Sequence, residues 1–190
     1  LRRQRQMCIR DSTIAIEKVR PKMPLAFYSL ATLALHKDGP SYGIFLALMR
    51  RHGFFLHASS NLKSIGNPEG NCDKDGFIGG SNIKPYYSGE TRHTNYTMTA
   101  GLIHHITHSV CIFEGVGYGK SATAWQLSES EGKGYLINDG LSDKGVTAEL
   151  GALASFGKLS ISASGITIAG KQWKGSIGIG IKLGKSKTGK

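Results

Sequence analysis

The chain has 190 residues, enough for one domain with a substantial core and too few for two. No apolar run approaches the roughly 18 residues of a membrane helix, which excludes helical membrane spans, and the 26 glycines favour a turn-rich or close-packed β architecture. The formal net charge of +11 is spread along the chain, and its two terminal basic clusters carry no interleaved aromatic residues, so no nucleic-acid partner is expected.

The two ends of the chain differ from the segment between them. Residues 1–12, LRRQRQMCIRDS, resemble a translated sequencing-adapter artefact and are not expected to contribute to the fold. Residues 13–24 are expected to be a linker or the end of a missing N-terminal region. Residues 25–184 are predicted to form one β-barrel, and residues 185–190 a basic tail.

From Leu25 onward, apolar residues recur at every second position, which is the periodicity of a β-strand. Eight candidate strands follow in chain order. The first is 25–35, and the second, third and fourth are alternating sets that begin at Tyr42, Phe54 and Tyr96. The fifth is 109–119, the sixth and seventh begin at Val146 and Leu159, and the eighth is WKGSIGIGIKL, residues 173–183. In the last segment Trp173, Ile177, Ile179, Ile181 and Leu183 share one face. The opposite face carries only small or polar residues.

The predicted connections differ in length: HKDGP and AGKQ are short loops between the first and last pairs of strands. RRHG, HITH and FGK form tight turns, whereas residues 64–90 and 121–141 form long polar segments. In an up-and-down meander alternate connections lie at the same end, so the tight turns lie at one end and both long loops at the other. This asymmetry, with an even number of strands of about ten residues, is typical of outer-membrane barrels.

The pattern therefore predicts an all-β fold, an eight-stranded antiparallel up-and-down transmembrane β-barrel. The face opposite the apolar one is mostly Gly, Ser, Thr and Asn, which suits the narrow interior of such a barrel better than a solvent surface. The alternative is a soluble lipocalin-like β-barrel that binds an apolar ligand, in which the apolar faces point inward.

Three segments resemble known proteins: SYGIFLALMRRHGFFLHASSN, GVGYG and GITIAGKQWKGSIGIGIKL are similar to small outer-membrane β-barrel proteins of Gram-negative gut bacteria. The resemblance covers about residues 25–184 and lies in patterned strands. It implies the cell outer membrane as the location and says little about activity. In that family the barrel often follows a separate N-terminal region.

Two features depart from that family. Such barrels usually end on an aromatic residue, whereas Leu183 holds that place here and a basic tail follows. Glu114 points toward lipid by alternation with Val116 and Tyr118, and a carboxylate is costly there. Either a bulge shifts the register at Glu114, or the strand assignment is wrong.

The segment EGVGYGKS, residues 114–121, imitates a phosphate-binding loop. Gly119, Lys120 and Ser121 are in place, but Glu114 stands where the first glycine must be and would repel phosphate. We expect Gly115, Gly117 and Gly119 to line the inside of the fifth strand instead. No nucleotide or other cofactor is predicted.

Other clusters also suggest sites only weakly. The segment HHITH, with His104, His105 and His108, has metal-ligand spacing on a helix, but here it flanks a tight turn. The sequence NCDKDGFI imitates a calcium loop, although Asn82 takes the place of its last ligand, a glutamate. Both are expected to be solvated turns, and no catalytic or metal-binding residue is predicted.

The inside of the barrel is expected to hold an ion pair. Glu149 points inward from the sixth strand, and Lys174 and Lys182 point inward from the eighth, so a lysine is the expected partner. The function expected from these patterns is that of a non-enzymatic, membrane-embedded scaffold. Outer-membrane lipid is one expected partner, and an extracellular molecule that contacts loops 64–90 and 121–141 is another.

Overall fold

The computed structural model describes residues 24–184. The segments expected to be an adapter artefact (1–12) and a basic tail (185–190) lie outside the described residues, and so does the expected linker (13–24) except for its last residue. Within residues 24–184, no helix is long and apolar enough to cross a membrane.

Eight antiparallel strands close into a barrel. They are β1 (Ala26–His36), β2 (Gly39–Met49), β3 (His52–Ser60), β5 (Tyr87–His105), β6 (Val110–Leu127), β8 (Asp143–Phe156), β9 (Leu159–Ile168) and β10 (Gln172–Gly184). Each barrel strand pairs with its neighbours along the chain, and β1 pairs with β10 to complete the ring. The predicted fold class, an eight-stranded antiparallel up-and-down transmembrane β-barrel, is confirmed.

The connections divide between the two ends of the barrel as the sequence predicted. Residues 50–51, 106–109 and 157–158 connect strands at one end, here called the short-turn end. At the opposite, long-loop end, the connections are residues 37–38, 61–86, 128–142 and 169–171. Closure of the sheet leaves no barrel strand with an unpaired edge.

The side chains on the outside of the barrel are apolar. Ile177, Ile179 and Ile181 are 58%, 60% and 50% exposed, and they alternate with inward-facing Ser176, Gly178 and Gly180. This orientation contradicts the soluble lipocalin-like alternative, which needs the isoleucines inside. It is the arrangement of a barrel whose outer surface lies in lipid.

Aromatic residues on the outer surface form two belts. Phe27, Phe54 and Phe156 lie near the short-turn end, while Tyr42, Tyr96, Tyr118 and Trp173 lie toward the long-loop end. Aromatic girdles mark the two interfaces of the apolar band in membrane barrels, and Tyr and Trp place a polar atom at the wetter edge. The belts bound the part of the barrel that fits the hydrocarbon layer.

Apolar side chains fill the lumen in its short-turn half. The rings of Phe45, Phe55 and Phe113 pack together with centroid separations of 4.9–5.2 Å. Glycines make room for them, because a Cβ at Gly115 would lie 2.6 Å from Phe55 Cζ. A lumen of eight strands is narrow enough for side chains to fill, so this half is a packed core.

Two strands extend beyond the rest of the barrel at the long-loop end. β5 and β6 have 19 and 18 residues, so residues 87–90 and 121–127, which were expected in the loops, belong to strands. Two short strands lie within the loops, β4 (Gly70–Cys72) and β7 (Tyr135–Asn138). β7 pairs with β6 and β4 pairs with β7, so the sheet continues past the barrel.

Candidate functional site

The two long loops pack against each other into one body, which we call the loop assembly and define as residues 61–86 and 128–142. Buried Cys72 and Leu136 of the assembly pack with Leu127 of β6, and Tyr87 of β5 and Trp125 of β6 lie around them. A second cluster joins Ile65 to Ala122 and Ala124 under Tyr135. The loop assembly is therefore held to β5 and β6 by apolar burial as well as by strand pairing.

Hydrogen bonds also connect the loop assembly internally and to the barrel. Glu69 N–H donates to the Tyr135 carbonyl at 2.9 Å, and Thr94 Oγ1 donates to the Lys63 carbonyl at 2.7 Å. Ser128 N–H donates to the Tyr86 carbonyl at 2.8 Å. Because these bonds join segments far apart in sequence, each one reduces the number of arrangements open to the loops.

The surface of the loop assembly includes exposed apolar side chains. Ile83 and Tyr86 are 66% and 77% exposed, and Ile78 N–H donates to the Ile83 carbonyl at 3.0 Å. Lys84 lies between Ile83 and Tyr86 in sequence, with its Nζ 5.5 Å from the centre of the Phe77 ring. Grouped exposed apolar residues with a polar rim are typical of interaction surfaces.

The calcium-like segment is an internally hydrogen-bonded turn beside the rings of Tyr87 and Trp125. Asp73 Oδ1 accepts hydrogen bonds from the N–H groups of Asp75 and Phe77, both at 2.9 Å. Tyr87 Oη donates to the Gly76 carbonyl at 2.6 Å. Within residues 24–184, no group of three or more His, Cys, Asp or Glu side chains is placed to hold a metal ion.

Burial in the loop assembly affects two ionisable groups. It raises the pKa of the Cys72 thiol above its ordinary value of 9.0. It also raises the pKa of Tyr87, and the adjacent Cys72 adds to this effect. Both side chains are consequently neutral at physiological pH, in keeping with a packing role.

A buried polar network crosses the lumen above the phenylalanine cluster. His57 Nδ1 donates to Glu149 Oε1 at 2.8 Å, and Ser164 Oγ donates to the same oxygen at 2.8 Å. Thr99 Oγ1 donates to Glu149 Oε2, and His57 Nε2 lies 2.9 Å from Thr32 Oγ1. The carboxylate that the sequence placed inside thus has at least three hydrogen-bond donors.

The expected lysine partners of Glu149 are wrong. Lys174 instead donates to Asn95 Oδ1, and Lys182 Nζ lies 5.6 Å from the centre of the Tyr28 ring. Strand pairing alone does not separate the two groups, because Glu149 and Lys174 both pair opposite Ile166. The difference arises across the lumen, where Thr99 of β5 bonds to Glu149 and Asn95, four residues nearer the long-loop end of β5, accepts from Lys174. No signal in a single sequence connects His57 with Glu149, since they are 92 residues apart.

Thr32, His57 and Glu149 occur in the order hydroxyl, imidazole, carboxylate that nucleophilic hydrolases use. The resemblance stops at the hydrogen bonds. Thr32 is buried, and a Cβ at Gly43 would lie 2.6 Å from its hydroxyl, so the backbone of β2 packs closely against this hydroxyl. This geometry is that of a satisfied structural network in a closed lumen.

The phosphate-loop imitation lies within a continuous strand. β6 runs from Val110 to Leu127 without a helix behind Lys120 and Ser121, so the geometry that binds phosphate at a helix N-terminus does not form. Gly115, Gly117 and Gly119 face the lumen, as predicted. Glu114 faces outward on a continuous strand, since the β5–β6 register is unbroken from Thr91 to His105. The expectation of a bulge at Glu114 or of a wrong strand assignment is therefore wrong.

The histidines of the turn segment lie at the short-turn end. His104 Nδ1 is 2.8 Å from Nδ1 of His52 on the neighbouring strand, and His105 Nδ1 is 3.2 Å from Cys111 Sγ. His108 is exposed in the turn. His104 and His105 therefore have separate partners, and the metal-ligand spacing does not produce a common site.

A closed eight-stranded ring, an apolar outer surface between aromatic belts and a lumen filled by side chains together define a transmembrane β-barrel. No protein-family model matches the chain, and no curated protein matches it.

Solved structures with the same fold were found. Ail, the attachment invasion locus protein of Yersinia pestis, in complex with the heparin analogue sucrose octasulfate, is 13% identical with a TM-score of 0.50, and the match covers 85% of this chain and 98% of that one. The N-terminal β-barrel domain of Pseudomonas aeruginosa OprF is 10% identical over 83% and 97% of the two chains, with a TM-score of 0.48. Such identities show similarity of fold alone.

Proposed function

We propose that this protein is an outer-membrane β-barrel that acts as a non-enzymatic scaffold and presents the loop assembly outside the cell for contact with another macromolecule. One observation carries the proposal: the long loops form a packed, hydrogen-bonded body that leaves Ile78, Ile83 and Tyr86 exposed at its surface. An ordered surface binds at a lower entropic cost than a flexible loop.

The membrane part of the proposal is supported by the outer surface and the strand lengths. The apolar band lies between the two aromatic belts, and short turns at one end with long loops at the other follow the pattern of outer-membrane barrels. In such barrels the longer loops face the outside of the cell. We therefore assign the loop assembly to the outer face.

The absence of enzymatic activity is part of the proposal. It is supported by the lumen network, whose hydroxyl, imidazole and carboxylate groups are buried and hydrogen-bonded to one another. A hydrolase would need its nucleophile at a surface that the substrate reaches.

Protease treatment of whole cells tests membrane insertion and orientation. The full chain is produced in a Gram-negative host with an affinity tag, and intact cells are treated with a protease that cannot enter them. We expect cleavage within residues 61–86 or 128–142 and protection of the barrel strands. Recovery of uncut protein from the soluble periplasmic fraction would overturn the assignment.

Adherence of the same cells tests surface contact. Cells with the wild-type barrel are added to immobilised surface proteins and polysaccharides of epithelial cells, and the variant pair Ile83→Ser and Tyr86→Ser is compared with Leu62→Ser. Leu62 is a suitable control because it is another exposed apolar residue of the same loop, 21 positions before Ile83 in the sequence. We expect the pair to reduce adherence at least tenfold and the control to retain it; no adherence by the wild type would contradict the proposal.

A further inference from the structure

Tyr96, Lys120 and Lys144 form a row across the outer surface of three neighbouring strands. The β5–β6 register places Tyr96 opposite Lys120, and the β6–β8 register places Lys120 opposite Lys144. All three point outward, since the alternate residues Asn95, Ser121 and Asp143 face the other side of the sheet. Directly opposed residues have Cβ atoms about 5 Å apart, so the two ammonium groups can reach one point.

This juxtaposition is unfavourable unless an anion lies between the two lysines. Like charges directly opposite each other destabilise a sheet. Within residues 24–184 neither lysine forms an ion pair. The carboxylate next to Lys144, that of Asp143, accepts from Gln172 Nε2 at 2.7 Å and lies 3.6 Å from Lys171 Nζ.

A third cation lies on the same face, farther from the membrane. Arg92 is on the outward side of β5, four residues from Tyr96, and its guanidinium is centred 4.3 Å from the middle of the Tyr135 ring. Glu90, which precedes Arg92 beyond an irregularity in the β5–β6 register, forms no ion pair among the described residues. The face is therefore basic overall.

The row lies at the depth of the lipid headgroups. Tyr118 belongs to the aromatic belt toward the long-loop end and is two residues from Lys120 on the outward face of β6. Val146, which is exposed on the outer surface, is two residues from Lys144 on β8. Two residues of a tilted strand rise about 5 Å along the barrel axis. Lysine stems can lie along the apolar surface while their ammonium groups reach the headgroups.

We propose that Lys120, Lys144 and Tyr96 bind a phosphate group of an anionic lipid in the leaflet that surrounds the long-loop end. Two ammonium groups and a phenolic hydroxyl donate to phosphate oxygens, and the bound phosphate removes the repulsion between the lysines. The proposal rests on the proposed function, because it requires the barrel to lie in the outer membrane with its long loops outward. A phosphorylated glycolipid of that leaflet is the intended ligand.

Lipid titration tests the site. The full-length protein is folded in detergent micelles and titrated with fluorescent lipid A that carries its two phosphates, or with the same lipid after the phosphates are removed. We expect the pair Lys120→Ala and Lys144→Ala to weaken binding of the phosphorylated form about thirtyfold. The pair Lys120→Arg and Lys144→Arg should retain most of the affinity.

A charge-matched control separates the site from general attraction. Lys74→Ala and Lys84→Ala remove the same charge from exposed positions in the loop assembly. An equal loss in this control, or equal binding of the dephosphorylated lipid, would overturn the proposed site. Stoichiometric binding of inorganic phosphate alone would overturn its assignment to a lipid.

The result can be distinguished from a failure of the proposed function. Each variant is first examined by protease treatment of whole cells, which reports insertion and orientation. If the wild type inserts with its loops outside but binds both lipid forms equally, the headgroup proposal alone is wrong. If the wild type does not insert, the proposed function is wrong.

Discussion

Glu149 shows what a carboxylate requires inside a barrel of eight strands. Its side chain is completely inaccessible to solvent, and removing a charge from water costs several kcal/mol unless partners replace the lost hydration. His57, Ser164 and Thr99 supply those hydrogen bonds from three other strands. The network therefore connects opposite walls of the lumen and favours one register for the whole ring.

Replacement of Glu149 tests this role. We expect Glu149→Leu to lower the free energy of unfolding by about 3 kcal/mol, because His57 and two hydroxyl groups lose their acceptor. Glu149→Gln keeps an acceptor and should cost about 1 kcal/mol. Reversible urea unfolding in phospholipid vesicles measures both, and equal stability of the two variants would show that the network contributes little.

Glu114 is an ionisable residue on the lipid side of the barrel, opposite Leu102 and Leu150. We expect Glu114→Leu to raise the free energy of unfolding in vesicles by about 1–2 kcal/mol, because the carboxylate no longer has to enter the apolar layer. Glu129→Leu, at an exposed position in the loop assembly, is the control and should have little effect. A loss of stability for Glu114→Leu would mean that the carboxylate has a favourable partner.

The Cys72 thiol provides a pH-dependent prediction. Burial raises its pKa above 9.0, so folding favours the protonated thiol. Below that pH the thiol is neutral in both folded and unfolded chains and has no pH-dependent effect. As the pH rises past 9.0 the unfolded chain ionises first, and the loop assembly loses stability. Labelling of Cys72 by a charged maleimide should therefore accelerate from pH 9 to pH 10 more than labelling of a model thiol does, and an equal acceleration would contradict burial.

At the scale of the elements, the loop assembly depends on side chains that pack under two very short strands. Leu136 of β7 lies against Cys72 of β4 and Leu127 of β6. Strands of three and four residues are too short to be stable by hydrogen bonding alone. The apolar cluster beneath them is what makes the loops one body.

Truncation of Leu136 should loosen the loops and spare the barrel. We expect Leu136→Ala to destabilise the loop assembly by about 2–3 kcal/mol, since it creates a cavity in a small cluster. Limited proteolysis should then cut residues 61–86 at least tenfold faster, while the unfolding midpoint of the barrel stays unchanged. Leu62→Ala removes an exposed side chain as a control; similar acceleration in both variants would contradict the role of Leu136.

The barrel strands could be predicted from the sequence because each of them alternates between an apolar and a small or polar face. The isoleucines of β10 are the clearest case. β4 and β7 could not be predicted, since three or four residues carry no measurable period. The outer halves of β5 and β6 were also missed: Ala122, Thr123 and Ala124 are buried on both faces and therefore break the alternation.

Prediction of the candidate site from sequence was limited by contacts between distant residues. The two loops were recognised by their length and polarity, but their mutual packing depends on contacts such as Cys72 with Leu136, and spacing along the chain does not reveal these. The same limit applies to His57 with Glu149. Glu114 was placed correctly on the outer surface because strand alternation alone decides it.

At the scale of the whole molecule, the distribution of apolar residues decides which solvent the protein requires. In water the outer band between the aromatic belts would remain exposed, which favours aggregation. We expect the full-length protein to precipitate when detergent is removed and to stay monodisperse in micelles or vesicles, as analytical ultracentrifugation would show. A soluble monomer without detergent would contradict the transmembrane fold.

The two tryptophans of the chain lie in different surroundings. Trp173 is 69% exposed on the outer surface of β10. Trp125 instead packs edge-on against Tyr87, at a centroid distance of 5.3 Å, beside the apolar cluster of Cys72, Leu127 and Leu136. Fluorescence from Trp173 should be quenched by brominated lipid chains, and that from Trp125 should not. Two single-tryptophan variants, followed in the same refolding experiment, would thus report when the barrel enters the bilayer and when the loop assembly packs.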